Sequence, residues 1–339
     1  MNNHDALGLD VGTSRLVLAQ KEGERFRFSS QLNAFVTIPY SRMTENALRN
    51  ERVPYSIENG QLIVHGNESA RFADLLQRET RRPMFKGVLN ASEPESAPRL
   101  KELLRTLLAA HTPGKRVYFT VPAAPLGSEE GVTYHEATIK QILSELGFQG
   151  TAVNEGLAVI YGELEKSNYS GIGVSLGGGL ANVCLAYLSV PVLSFSTAKA
   201  GDFVDSSAAA VTGELATRVR IAKEESFTFQ ANYADKLHQV LAVYYDDLIK
   251  TLAGSLREAF SNARNLPRLA RPIPLVLSGG TASPKGFRDR FERILNEQPL
   301  PIALSEIRLA AHPLESTAKG ALIAALADSD EQVTASAAA

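Results

Sequence analysis

The sequence has little of what a stapled, membrane-spanning or metal-caged protein needs. It holds one cysteine, Cys184, so no intrachain disulfide can form. Cysteine poverty and the opening Met1-Asn2-Asn3-His4-Asp5, which lacks a basic stretch ahead of an apolar one, favour the cytoplasm. The apolar runs are strand-sized, so no transmembrane anchor is expected, nor does the start offer a long amphipathic one. The histidines, His4, His65, His111, His135, His238 and His312, are scattered and form no HExxH or close ligand pair, which argues against a structural metal site. Neither sign of charge dominates. With 35 basic and 37 acidic residues the net charge is -2, which argues against a protein built around the nucleic-acid backbone.

What is present points to two α/β units. A chain of 339 residues, 44% of them hydrophobic, can bury two cores. Residues 6–12 read as a strand ending in a turn, and residues 14–19 resume a strand. That is strand, glycine-bearing turn, strand: a hairpin, unlike the strand-to-helix opening of a Rossmann or P-loop site. The same grammar returns at residues 172–179, with a returning strand at 182–188, and marks an internal repeat. The division is therefore 1–168 for a first lobe and 169–327 for a second, with the change at Ser167, Asn168 and Gly171. A smaller insertion is expected at about 32–95, with strand candidates at 32–38 and 61–64. Leu100, Leu103, Leu104, Leu107 and Leu108 make one apolar stripe on a helix at 99–110. A strand at 116–122, a helix at 135–146, a strand at 150–153 and a helix from Glu155 complete the alternation.

In the second lobe, Gly201-Asp202-Phe203-Val204-Asp205 opens a long helix that closes, after Arg220, at Lys223 and Glu224. A further helix is predicted from about 233 to 263. Residues 274–280 form another strand running into a glycine turn. Helices follow at 286–295 and 315–326, and residues 328–339 read as a frayed, flexible tail.

Three strands that each run into glycines favour a ligand cradled between the lobes, because such turns expose N–H groups and remove obstructing Cβ atoms. Asp10, at the end of its strand, reads equally as a holder of hydrated Mg²⁺ and as a turn residue. Thr13 and Ser14 add hydroxyls and N–H donors to that cradle. Glu155 could polarise a water, although a first-turn glutamate serving the helix dipole is the commoner case. Lys223 and Glu224 could reach a base or ribose, or form a solvated helix end.

Together these residues resemble the superfamily of actin, the 70-kDa heat-shock chaperones and the sugar kinases. The size and spacing are similar to prokaryotic actin-like proteins of the MreB, ParM and MamK kind, over roughly residues 6–327. Gly8-Leu9-Asp10-Val11-Gly12-Thr13-Ser14 matches the first phosphate loop. The resemblance implies that Asp10 holds Mg²⁺ through water and that Gly12, Thr13 and Ser14 cradle phosphate. Thr120-Val121-Pro122-Ala123 is similar to the strand that precedes the first connecting helix. Asn154-Glu155-Gly156-Leu157-Ala158 resembles that helix itself, which implies that Glu155 positions the lytic water. Gly177-Gly178-Gly179 matches the second phosphate loop, and Gly201 and Asp202 the segment beside the nucleotide. Lys223 and Glu224 resemble an adenosine-contacting pair, and Ser278-Gly279-Gly280-Thr281-Ala282-Ser283-Pro284 the adenosine loop. Ala318-Lys319-Gly320-Ala321 is similar to the final helix.

The departures are informative. Ser175 stands where the family's second loop usually begins with aspartate, and Leu180 and Asn182 follow the glycines in place of a threonine and an acidic residue. Less negative charge favours binding a nucleotide anion and disfavours activating water. Only residues 226–234 separate Lys223-Glu224 from the next helix, where actin relatives insert a subdomain, so that subdomain is strongly reduced. The resemblance thus implies a two-lobed, ribonuclease H-like fold that binds ATP or ADP with Mg²⁺, hydrolyses it slowly, and associates with itself into filaments, with an adaptor protein as a further partner. A pseudo-ATPase scaffold and a small-molecule kinase are the alternatives. No substrate-binding domain follows residue 327, which disfavours a chaperone.

Overall fold

The computed structural model describes residues 6–128, 132–230, 232–263, 266 and 271–337. The chain opens with an antiparallel meander of β1 (Ala6–Val11), β2 (Arg15–Glu22) and β3 (Arg25–Leu32). β3 alternates Phe26 and Phe28 with Arg25 and Arg27, and only its last two residues are buried. The insertion follows as β4 (Phe35–Pro39), α1 (Arg42–Asn50), β5 (Tyr55–Glu58), β6 (Gln61–His65), α2 (Asn67–Leu75) and the short hairpin β7 (Met84–Phe85) and β8 (Val88–Leu89). β4, β6 and β5 form their own sheet, whose core includes Val36, Ile38, Leu48, Leu62 and Val64. The single strand predicted at 32–38 is split between β3 and β4. The Asn33 amide nitrogen donates to the Gly12 carbonyl at 2.9 Å and its backbone N–H to the Ser14 carbonyl at 2.9 Å, which ties the end of β3 to the β1–β2 turn. α3 (Ser96–Leu108), β9 (Arg116–Val121), α4 (Thr133–Glu145), β10 (Gln149–Asn154) and α5 (Glu155–Glu163) complete the first lobe.

The second lobe runs through β11 (Gly171–Leu176), β12 (Ala181–Tyr187), β13 (Val190–Thr197), α6 (Gly201–Thr212), α7 (Ala216–Ser226), α8 (Lys236–Asn262), β14 (Ile273–Ser278), α9 (Phe287–Glu297), β15 (Leu304–Leu309) and α10 (Ser316–Ala337). The long helix predicted from Gly201 to Glu224 is two helices, because Gly213 adopts φ 78° and ends α6 in a left-handed cap. The backbone of the last helix continues past the predicted end at residue 326, to Ala337. Within that extension the Tyr118 hydroxyl donates to the Asp328 carboxylate. No helix or strand occupies the described residues of 227–235, so the reduced subdomain is a bare connection.

The two main sheets have one topology. Their orders are β10-β9-β1-β2-β3 and, read from the corresponding edge, β15-β14-β11-β12-β13. In each, the central strand is antiparallel to its hairpin partner and parallel to the strand after a helical crossover. The last helix of each lobe packs on the other lobe's sheet. α5 covers β11 and β12 with Leu157, Val159 and Ile160 against Cys184 and Ala186. α10 covers β1 with Ala318, Ala321 and Leu322 against Ala6 and Val17. The two helices also touch each other, backbone to backbone. A Cβ on Gly320 would lie 1.7 Å from the Ala158 carbonyl oxygen. Gly8 and Gly173, equivalent positions on the two central strands, admit the crossing helices, with Cβ clearances of 2.2 Å to the Ala318 carbonyl and 2.3 Å to the Gly156 carbonyl.

Gly320→Ala is therefore expected to destabilise the protein by about 1–3 kcal/mol through overpacking, read as a lower urea midpoint. An unchanged midpoint would mean that the helices separate without cost.

Candidate functional site

A cavity of about 420 Å³ lies between the lobes, and every site residue singled out in the sequence lines it. The β1–β2 turn enters from one side and the β11–β12 turn from the other, so the internal repeat places two equivalent hairpins face to face. They are in contact. A Cβ on Gly178 would lie 2.1 Å from Ser14 Oγ, and one on Gly179 2.3 Å from Thr13 Oγ1. The Gly87 N–H, from the β7–β8 turn, donates to Thr13 Oγ1 at 2.9 Å. The second turn is held from behind. Gly201 N–H donates to the Gly177 carbonyl at 3.1 Å, Asp202 N–H to the Gly178 carbonyl at 2.8 Å, and Thr281 Oγ1 to the Gly177 carbonyl at 2.7 Å.

Asp10 ends β1 with both oxygens engaged. Thr120 Oγ1 donates to Oδ1 at 2.6 Å and Thr317 Oγ1 to Oδ2 at 2.8 Å. Thr120 in turn accepts from the Val11 N–H at 3.0 Å, which fixes its rotamer. Thr317 had no signal of its own in the sequence; only the crossing of α10 brings it to β1. Burial raises the Asp10 carboxyl pKa, against the pull of the two hydroxyls.

Glu155 is held by the two residues that depart from the family pattern. Ser175 Oγ donates to Oε1 at 2.6 Å, and Asn182 Nδ2 donates to Oε2 at 2.8 Å. Asn182 is oriented by the Ala123 N–H, which donates to its Oδ1 at 3.0 Å. Asn154 caps α5 by accepting from the Leu157 N–H at 3.0 Å, which fixes the helix start that carries Glu155. Burial, and then the neighbouring Asp10 charge, push the Glu155 carboxyl up to about 8.

Among the described residues no group of three or more His, Cys, Asp or Glu side chains could hold a metal alone. Asp10 suits the other arrangement, a hydrated Mg²⁺ held by one carboxylate together with phosphate oxygens. Each of its oxygens keeps lone-pair capacity after accepting one hydroxyl, and the repulsion between Asp10 and Glu155 is what a cation would relieve.

The far end of the cavity is built by α7, α8 and the loop after β14. Lys223 is buried and pairs with Asp205 at 2.7 Å. Glu224 accepts from Arg15 of the first lobe at 2.9 Å and from Arg220 at 3.3 Å. Burial opposes it, but Arg220 and then Arg15 hold the Glu224 carboxyl below its usual range. Phe227, from the short connection, stacks on Tyr245 with centroids 5.1 Å apart, and on Tyr233 at 5.9 Å. Asp202 pairs with Arg82 of the insertion at 2.7 Å. Arg15, Arg82 and Tyr245 carry no motif signal; each owes its place to tertiary packing.

Two sheets of one topology, bridged by reciprocal helices over a cleft with a hairpin turn from each side, define the actin-like ATPase fold. The chain belongs to the Volactin family, whose profile matches residues 6–325. No curated protein sequence matches it. Among solved structures, a MamK double helical filament is similar at 18% identity and TM-score 0.66, over 94% of this chain and 98% of that one. MreB5 of Spiroplasma citri bound to ADP is similar at 15% identity and TM-score 0.65, over 93% and 94%. The ethanolamine utilization protein EutJ of Carboxydothermus hydrogenoformans is similar at 16% identity and TM-score 0.56, over 94% and 88%. At such identities the likeness concerns the fold. No helix among the described residues is long and apolar enough to cross a membrane.

Because the folded protein holds the Glu155 proton more tightly than an unfolded chain, this group stabilises the unliganded protein below the usual carboxylate range. That stability is lost as pH rises through about 8. Thermal melts of the unliganded chain are expected to show Tm falling between roughly pH 5 and 8, with a flatter profile for Glu155→Gln. Parallel profiles would mean that Glu155 is ionised throughout.

Proposed function

We propose that this chain is a cytoplasmic actin-like protein that binds Mg-ATP between its lobes, polymerises in response, and hydrolyses the nucleotide slowly. The observation that carries this reading is the convergence of two hairpin turns, one per lobe, on a single cavity that also holds Asp10 and Glu155. Turns of this kind offer backbone N–H groups to phosphate. Bound Mg²⁺ would neutralise phosphate charge, with Asp10 as its ligand on the protein. Gly12, Thr13, Ser14, Gly177, Gly178 and Gly179 would cradle phosphate, while Gly201 and Asp202 flank it. Lys223, Glu224, Gly279, Gly280 and Thr281 would line the nucleoside end.

Glu155 would orient the attacking water. Ser175 and Asn182 each donate to one of its oxygens, which weakens it as an acceptor of that water's proton. Slow turnover follows from those two contacts, and they also support a second reading, a scaffold that keeps nucleotide without hydrolysing it. Closure of the lobes over nucleotide would favour head-to-tail contacts, which are heterologous and propagate when no ring closes.

Light scattering and phosphate release, followed together with Mg-ATP, a non-hydrolysable analogue, Mg-ADP and no nucleotide, test the proposal. Scattering is expected to rise with ATP and with the analogue, while phosphate appears slowly. Glu155→Gln is expected to keep the rise and lose the phosphate. A polymer that never releases phosphate would establish the scaffold, and bound nucleotide with no polymer would sink the filament reading. Asp10→Asn is expected to weaken Mg-ATP binding at least tenfold, about 1.4 kcal/mol, as measured by calorimetry with and without Mg²⁺; equal affinity would remove Asp10 from the metal site.

A further inference from the structure

Residues 74–82 of the insertion make a row of contacts to the second lobe. Asp74 pairs with Arg218 at 3.2 Å, Thr80 Oγ1 lies 3.4 Å from Thr217 Oγ1, and Arg82 pairs with Asp202 at 2.7 Å. Glu79 differs from these in geometry. Its Oε1 accepts from the Ala216 N–H at 2.7 Å, and its Oε2 accepts from the Thr217 N–H at 3.0 Å and from the Thr217 hydroxyl. These N–H groups belong to the first turn of α7, where a helix has no acceptors of its own. The residue at the cap position, Leu215, has no oxygen on its side chain, and none of the cap hydrogen bonds comes from it. The cap of this second-lobe helix is thus supplied from the other side of the cleft, by a carboxylate placed at the positive end of the helix dipole.

The other end of α7 carries Lys223 and Glu224, about 10 Å along the axis from Ala216 at 1.5 Å per residue. Both line the interlobe cavity. We propose that Glu79 is a positioning residue for the nucleotide: by capping α7 across the cleft, it holds Lys223 and Glu224 in place at the nucleoside end. This rests on the nucleotide reading given above. Removing Glu79 leaves the Arg15–Glu224, Asp74–Arg218 and Arg82–Asp202 pairs in place. Its loss therefore loosens the helix while three ion pairs still hold the lobes.

The test uses the full chain, a fluorescent methylanthraniloyl-ADP with Mg²⁺, and hydrogen exchange at the first-turn amides of α7. Glu79→Ala is expected to release the nucleotide about five- to tenfold faster, the equivalent of one lost helix cap, and to speed exchange at those amides. Glu79→Gln keeps one acceptor oxygen and should fall between; it also carries the test if the alanine variant does not fold. Adding Leu215→Asp to Glu79→Ala gives α7 a cap from its own lobe and is expected to restore both slow exchange and slow release. Unchanged release in Glu79→Ala overturns the proposal. So does a double variant that regains amide protection and still releases nucleotide fast, since Glu79 would then act only as a bridge. A wild-type chain that takes up no analogue overturns the nucleotide reading instead, and exchange in the unliganded variants still decides whether Glu79 caps α7.

Discussion

The approach of α5 and α10, with the Gly320 backbone on the Ala158 carbonyl, is the constraint on which the rest of the structure depends. Each helix is the last element of one lobe and the cover of the other lobe's sheet. A side chain at the crossing would force the helices apart, and with them the two central strands. That would separate the hairpin turns that face each other across the cavity. It would also carry Thr317, on α10, away from Asp10 on β1. The crossing therefore fixes both the spacing of the lobes and the immediate surroundings of Asp10.

Asp10 and Glu155 set the electrostatics of the cleft. Burial, and then the Asp10 charge, resist the ionisation of Glu155, and the groups around the two carboxyls are hydroxyls and an amide. Ser175 and Asn182 are uncharged, and each donates to one Glu155 oxygen, so they add no negative charge beside the two carboxyls. At the other end the ionic groups are matched: Lys223 with Asp205, and Glu224 with Arg15 and Arg220. The cavity thus holds two carboxyls satisfied by neutral donors at its Asp10–Glu155 end and ion pairs at its α7 end.

Much of this was legible in the sequence because hairpins and glycine turns are local. The repeated strand–turn–strand pattern around Asp10 and Gly177 leads directly to the duplicated topology, and the shortness of the stretch after Glu224 leads to the bare connection at 227–235. What escaped was non-local. β3 alternates Phe26 and Phe28 with arginines, but it is a strand through its pairing with β2, and only its last two residues are buried. Gly213 sits inside an otherwise continuous helical pattern and breaks it with a positive φ. The tail beyond residue 327 has too little apolar surface to predict a packed element, yet its backbone continues the helix. Thr317, Arg15, Arg82 and Glu79 reach the cleft only through the fold, so no spacing rule finds them. Asn182, noted only for what it is not, turns out to be tied to Glu155 by a direct hydrogen bond.

The reciprocal helices also bear on how the chain is made. β1 is synthesised well before α10, which packs over Gly8 and Ala6. Contacts of such long sequence separation are costly to form early and slow to close. Until α10 arrives, the first lobe carries an uncovered sheet face of Ala6, Val17, Ala19 and Tyr118. Neither lobe can cover both faces of its sheet without the other, so the first lobe waits for α10, and loss of α10 damages the lobe encoded first.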